Sequence, residues 1–304
     1  MYDIIIIGAG PAGLTAAIYA RRAEKSVLVI EKDTFGGQIT SSPKVENYPG
    51  FTEISGNELA DRLIEQTLTL GAAIELDRVT KIEGTFGDFT VICENKSYKS
   101  RTVIIAAGSH HRHLGIEGEE RLTGAGVSYC AVCDGALFRG QRVAVIGGGN
   151  SALVDAVLLS EGCEKVYIVQ NLAFLTGETR LQRILEARPN VEIIYSSQVS
   201  RIVGGDTLRS VEIINSETGE ERALMVEGMF VAIGQKPENE PFADLVGLDE
   251  RGYIRAGEDC IPDGAPDGIF VAGDCRTKTV RQVTTATADG ASAALAAVDR
   301  LNLA

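Results

Sequence analysis

An α/β fold of two Rossmann-like, three-layer dinucleotide-binding domains, the second inserted into the first, is what three features of this 304-residue sequence predict. A glycine-rich turn, Gly8-Ala-Gly10-Pro-Ala-Gly13, stands between an Ile-rich run and an Ala-rich stretch. A second, Gly147-Gly-Gly149-Asn-Ser-Ala152, has the same surroundings. Each unit ends its next apolar run on Glu31 or Gln170, in both cases 23 residues after the first glycine. That is the reach of a strand–turn–helix–strand unit, and its recurrence marks an internal duplication.

Composition bounds the rest. With 44% hydrophobic and 23% charged residues the chain can bury the cores of two domains. No run reaches the roughly 18 to 20 apolar residues of a membrane span, and the start has no basic flank or cleavage site of a signal peptide, so a cytoplasmic protein without a membrane partner is expected. A net charge of -13 argues against nucleic acid, whose phosphates are bound by basic side chains. It leaves room for an acidic protein docking at a local basic patch. Six cysteines in a cytosolic chain argue against a disulfide framework, and Cys93, Cys163, Cys260 and Cys275, each alone, read as small buried hydrophobes.

Taken in order, residues 2–7 form a strand, Gly8 to Gly13 the turn, the Ala-rich stretch a helix to about Glu24, and Val27–Ile30 a strand ending on Glu31. Gly8, Gly10 and Gly13 permit a tight turn and close approach of backbone to a pyrophosphate, the helix N-terminus stabilises its charge, and Glu31 accepts from ribose hydroxyls. Phe35 to Gly50 reads as loop because of Gly36-Gly37-Gln38 and Val45-Glu-Asn47-Tyr-Pro-Gly50. Leu59, Leu63, Ile64 and Leu68 recur at helical spacing from about Gly56 to Leu70. Val79–Ile82 and Phe86–Cys93 suggest a small β meander, and Thr102–Ala106 a buried strand ending at Ala107-Gly108.

All three histidines, His110, His111 and His113, follow that strand and read as a solvated loop. His111-x-His113 with Cys130-x2-Cys133 has the residue types of a zinc site, but the intervening sixteen residues are longer than structural zinc sites use, and no metal is expected. Cys130-Ala-Val-Cys133-Asp134 is instead a redox pair. A Cys130 that begins a helix has its thiolate stabilised by the helix N-terminus, Cys133 lies one turn on to resolve a mixed disulfide, and Asp134 can carry a proton.

Arg142–Ile146 is a further strand, the second glycine turn leads into a helix to about Glu161, and Val166–Val169 completes the unit. Two late strands, Met229 to Gly234 and Ile269 to Asp274, close the two copies. The first copy closes near the C-terminus, so the second lies inside it: residues 1–116 and 241–304 form one domain and 117–240 the other. The crossings are placed at Leu114–Gly118 and Lys236–Pro241, where two short connections make a hinge.

Gly8 to Gly13, Val45 to Gly50, Cys130-Ala-Val-Cys-Asp-Gly135, Gly147 to Ala152 and Gly273-Asp274-Cys275, in this order along essentially the whole chain, resemble the low-molecular-weight flavin thioredoxin reductases. The Cys-x-x-Cys-Asp-Gly element is the most specific of these. The resemblance implies an FAD-dependent disulfide oxidoreductase, a homodimer, and thioredoxin as partner. It implies FAD on Gly8, Gly10, Gly13 and Glu31, with Gln38, Asn47, Gly108, Arg281 and Gln282 in segments near the flavin and Gly273-Asp274 at its ribityl-phosphate region. It places Cys133 against the flavin, makes Cys130 the attacking sulfur and Asp134 the general acid/base, and assigns Gly147, Gly149 and Gln170 to a nicotinamide cofactor. It also implies rotation of the inserted domain between two poses.

One departure concerns the electron donor. NADPH-using members follow the second unit's last strand with a His-Arg-Arg cluster and a later Arg, whereas this chain runs Gln170-Asn-Leu-Ala-Phe-Leu175. A 2′-phosphate without cations loses charge-assisted hydrogen bonds, so NADPH is disfavoured. Arg180 and Arg183 do not match the motif's spacing. NADH is the favoured donor, with the Gln170 amide available to a ribose hydroxyl. The alternatives are reduction by ferredoxin, for which Arg276, Lys278 and Arg281 could form a basic patch, and a flavin-dependent oxidase of small-molecule dithiols.

Overall fold

Ile4, Ile5 and Ile6 are fully buried, and a run buried on both faces requires a strand with neighbours on either side and helices above and below. The computed structural model, which describes residues 1–42 and 44–304, supplies them. The chain opens with β1 (Tyr2–Ile7), α1 (Pro11–Arg22), β2 (Val27–Glu31), α2 (Gly56–Thr69) and β3 (Ala73–Leu76). There follow β4 (Val79–Thr85), β5 (Asp88–Cys93), β6 (Ser97–Ile105) and β7 (Ser109–His111). α1 starts at a proline, which lacks the N–H that a first helical turn leaves unpaired anyway. α2 starts on Ser55, whose hydroxyl accepts from Glu58 N, and buries Leu59 and Leu63 as their spacing requires.

The middle of the chain contributes α3 (Glu119–Leu122), β8 (Val127–Ser128), α4 (Ala131–Asp134), β9 (Arg142–Ile146), α5 (Asn150–Ser160), β10 (Lys165–Val169), α6 (Thr179–Glu186) and β11 (Val191–Ile194). A three-stranded antiparallel sheet of β12 (Ser197–Gly204), β13 (Leu208–Asn215) and β14 (Glu221–Met225) comes next, then β15 (Gly228–Val231) and β16 (Gln235–Pro237). The chain ends with β17 (Ile269–Val271) and α7 (Val283–Asn302), the latter closed at its start by reciprocal bonds between Gln282 and Thr285.

Two compact units result: Met1–His110 with Lys236–Ala304, and His111–Gln235. In the first, the described residues form a seven-stranded sheet ordered β3-β2-β1-β6-β5-β4, with β17 also on β6. β3, β2, β1, β6 and β17 run parallel, while β4 and β5 form the antiparallel meander. The second has the order β11-β10-β9-β15-β8, all parallel. Both are Rossmann-like sheets.

The unit edges fall a few residues before residues 116/117 and 240/241. Leu114 and Ile116 pack on the core of the second unit. Phe242 belongs to the core of the first, and Asn239, buried, donates to the carbonyls of Gly252 and Cys275. Both breaks lie within β7 and β16, and His110 and His111 are strand residues rather than loop. Among the described residues no helix is long and apolar enough to cross a membrane.

Candidate functional site

In the first unit Gly8 has φ +107°, and a Cβ there would lie 2.3 Å from the Ala106 carbonyl oxygen; one at Gly13 would lie 1.9 Å from the Gly8 oxygen. Only glycine fits at either place. Gly10 faces open space, and no side chain caps α1, so its first-turn N–H groups remain available to an anion. Glu31 is buried. Its Oε2 accepts from Ala9 N at 2.7 Å, and its Oε1 accepts from Lys32 N and Asp33 N, each at 2.9 Å. The carboxylate thus staples strand to turn and still lines a cavity of about 310 Å³ with Gly8, Lys32, Arg78 and Phe242.

The loop after β2 packs on this turn. Gly36 N donates to Ala9 O, a Cβ on Gly37 would be 3.2 Å from Gly10 Cα, and Gln38 lies on a short 3-10 helix, Gly37–Ser41. Asn47 donates to Gln282 Oε1 at 3.2 Å, so two residues distant in sequence meet. Gly108 has φ +68° with open space beside it, and Gly273 has φ +80°. Asp274, on the turn that follows β17, has its Oδ1 buried with no hydrogen-bond partner. Burial pushes its carboxyl above the ordinary range, against the pull of Lys278 and Arg281. An uncapped helix start, an open glycine, an adjoining cavity and a buried acid whose Oδ1 has an ion pair to Lys278 but no hydrogen bond together fit a dinucleotide such as FAD.

The basic residues after Asp274 are not a surface patch. Arg276 is 8% exposed and donates to both carboxylate oxygens of Asp289 on α7, at 2.9 and 2.8 Å. The Lys278 side chain, 7% exposed, donates to Asp289 Oδ2 at 2.9 Å, and Gly273 N donates to the same oxygen at 3.0 Å. Arg281 lies over the Tyr253 ring, 4.1 Å from its centroid. Arg276 and Lys278 are therefore internal braces of the Gly273-Asp274 turn, and neither is free for the basic patch they could have formed with Arg281.

In the second unit Cys130 and Cys133 form a disulfide. Cys130 caps the single turn of α4, and Cys133 N donates to its Sγ at 3.2 Å. That donor favours negative charge on Cys130 once the bond is reduced. Asp134, largely buried, has its carboxyl pushed up by burial, opposed by the Ser128 hydroxyl at 2.6 Å. The other cysteines are buried and free. Burial pushes the Cys93 and Cys260 thiols up to about 11 and Cys275 up to about 12, which makes them inert beside this pair.

Gly147 repeats Gly8: φ is +128°, and a Cβ would be 2.6 Å from Ala232 O. Around it the second turn differs. Gln170 is 4% exposed, its Nε2 donates to Phe174 O at 3.1 Å, and its side chain fills the space beside Gly148. The Gly148 carbonyl accepts from Thr176 N and Gly177 N, and Thr176 lies beside Gly149. The amide nitrogen of Gln170 is thus engaged within its own loop.

Sequence reasoning passed over Ser128, Tyr129, Glu119 and Asp289. His111 stacks on Tyr129, and His113 Nδ1 pairs with its hydroxyl at 2.8 Å. That hydroxyl donates to the buried Glu119, which also accepts from Leu114 N and Gly115 N. His111 and His113 thus contact the residue preceding Cys130, His113 with its side chain still 61% exposed, while His110 pairs with Glu238. A polar residue flanking the redox pair, as Ser128 does, was the one signal available.

Residues 2–290 match the family model for pyridine nucleotide-disulphide oxidoreductases. The chain is 41% identical to a thioredoxin reductase of Listeria innocua over 95% of its own length and 91% of the relative's. It is 41% identical to the thioredoxin reductase of Bacillus subtilis, covering 97% and 93%. Its structure is similar to the crystal structure of thioredoxin reductase from Streptococcus pyogenes, with a TM-score of 0.95, 40% identity, and coverage of 100% and 99%.

Proposed function

Because the chain belongs to the low-molecular-weight thioredoxin reductases of the pyridine nucleotide-disulphide oxidoreductase family, we propose that it reduces thioredoxin with NADH, in preference to NADPH, as the source of electrons. The observation that carries the reading is the Cys130–Cys133 disulfide on α4, with Cys133 N–H on the Cys130 sulfur and Asp134 buried on the same turn.

The chain's own groups divide the work. Gly8, Gly10, Gly13 and the α1 N-terminus would hold the FAD pyrophosphate, Glu31 its ribose, and Asp274 its ribityl-phosphate region, with Gln38, Asn47, Gly108, Arg281 and Gln282 nearby. Bound there, FAD supplies a two-electron carrier able to exchange with a disulfide.

In the reduced protein the Cys130 thiolate attacks one sulfur of the thioredoxin disulfide. That bond breaks, and the departing thiolate takes the proton held by Asp134. Cys133 then loses its proton to Asp134 and attacks the Cys130 sulfur of the mixed disulfide. The second thioredoxin sulfur leaves with that proton, and the enzyme disulfide re-forms. Two electrons and two protons move from the dithiol to thioredoxin.

For the donor, the tight Gly147 turn supports a nicotinamide dinucleotide, with Gly149 and Gln170 in its vicinity. Asn171 to Leu175 offer no cation to a 2′-phosphate. The burial of Arg276 and Lys278 takes two of the three cations from the docking patch considered for ferredoxin. The test is an anaerobic titration of the flavin with NADH, NADPH and reduced ferredoxin. NADH is expected to bleach it at lower concentration than NADPH, and oxidised thioredoxin to restore the colour. Rapid bleaching by micromolar NADPH would overturn the donor assignment, and bleaching by ferredoxin alone would reject a nicotinamide donor.

A further inference from the structure

The Ser128 hydroxyl has no part in the chemistry above, yet its placement is closely determined. β8 pairs with β15 through Val127 and Ser128, and Ser128 is 5% exposed. Its Oγ lies 2.6 Å from Asp134 Oδ2, 3.1 Å from Cys130 N and 3.5 Å from Cys130 O. A hydroxyl has one proton to donate. The 2.6 Å contact is in the range of a charge-assisted O–H···O⁻ bond, whereas 3.5 Å is beyond good geometry. The proton therefore goes to Asp134, and a lone pair accepts the Cys130 N–H.

This leaves the two oxygens of Asp134 unequal. Oδ2 is anchored, while Oδ1 is buried with no hydrogen-bond partner. A proton arriving on Oδ2 would oppose the Ser128 O–H; one arriving on Oδ1 meets no such donor. Burial raises this carboxyl and the Ser128 hydrogen bond opposes it. Of the elements packed against α4, the 3-10 turn Gly135–Phe138 carries no titratable side chain and α5 carries Asp155 alone.

We propose that Ser128 is a positioning residue for the disulfide exchange, anchoring Asp134 through Oδ2 so that Oδ1 is the oxygen that receives and gives the proton, and tying that carboxyl to the Cys130 backbone so that acid and nucleophile are held as one unit. The inference rests on Asp134 being the proton carrier, as in the reading above.

The experiment follows single-turnover reduction of thioredoxin by enzyme pre-reduced with a small dithiol, across pH, in the wild type and in Ser128→Ala, Ser128→Thr, Ser128→Val and Asp134→Asn. Thr and Val have the same shape and differ in the hydroxyl, so the pair remains informative should the smaller side chain disturb the strand. Loss of a hydrogen bond to the charged form moves the Asp134 limb to higher pH by about one unit in Ser128→Ala and Ser128→Val, with a rate about tenfold lower at the wild-type optimum. Ser128→Thr restores both. Asp134→Asn abolishes the limb, and adding Ser128→Ala to it changes the rate little further. A wild-type profile in Ser128→Ala and Ser128→Val, with the limb still lost in Asp134→Asn, overturns the role of Ser128 alone. An unchanged profile in Asp134→Asn overturns the reading of Asp134, and this inference with it.

Discussion

The two glycine turns begin alike and end differently. Gly8 and Gly147 both adopt positive φ against a carbonyl of the strand-closing Ala106 or Ala232. Five residues on, the first has Gly13 jammed against Gly8 O, while the second tolerates Ala152, whose Cβ rests 3.4 Å from the place a Gly147 Cβ would take. Glu31 grips its turn with a charged group accepting three N–H bonds. Gln170 instead turns into its own loop. The first turn is gripped by a charged carboxylate, whereas at the second the corresponding side chain packs beside Gly148 and bonds within its own loop. The backbone device recurs because its sterics admit little else, while the side chains beside it differ.

The largest expected effect comes from the brace behind the first unit's closing strand. Asp289→Asn leaves Arg276 and Lys278 as buried cations without their carboxylate. Unfolding free energy should fall by about 3–5 kcal/mol in denaturant titration, with early loss of flavin absorbance. Next, Gly13→Ala forces a Cβ onto the Gly8 oxygen. It should cost about 1–3 kcal/mol and yield colourless protein, whereas Ala152→Gly in the second turn should cost about 1 kcal/mol and leave flavin content unchanged.

Smaller is the effect of Glu31→Gln, which removes the charge from three bonds. We expect about 2 kcal/mol weaker flavin binding by fluorescence, against none for Gln170→Ala. Equal losses in those two variants would break the contrast between the turns.

Opposite in sign is the effect at Asp155, on the helix of the second turn, whose carboxyl burial pushes up to about 6. Between its ordinary range and pH 6 the folded state binds more protons than the unfolded, so stability falls as pH rises through that window. Asp155→Asn should melt higher than wild type at pH 8, by about 2 kcal/mol, with the difference vanishing toward pH 4.

Legibility tracked how local the physics is. The turns, β9, and the α4 placement of Cys130 could be read because glycine's freedom and a helix's first turn are properties of a few consecutive residues. The sheet β12-β13-β14 and helix α7 went unread. Short amphipathic strands and an Ala-rich helix carry little periodic contrast until their partners are known. Arg276 and Lys278 looked like surface charge because residue type says nothing of a carboxylate thirteen positions on, across a turn and into a helix. That His111 and His113 meet Tyr129 could not be read, because Tyr129 is not their sequence neighbour; His113 is exposed, as its loop suggested.

What the sequence determined by itself is the pair of glycine turns and the Cys130/Cys133 pair, since each is fixed by backbone sterics or by residues within one helical turn. Only the tertiary structure decided which charges are buried, where the two units divide, that Gln170 faces its own loop, and that Ser128 grips Asp134. Those depend on desolvation and on partners brought together from distant positions, and no local pattern encodes them.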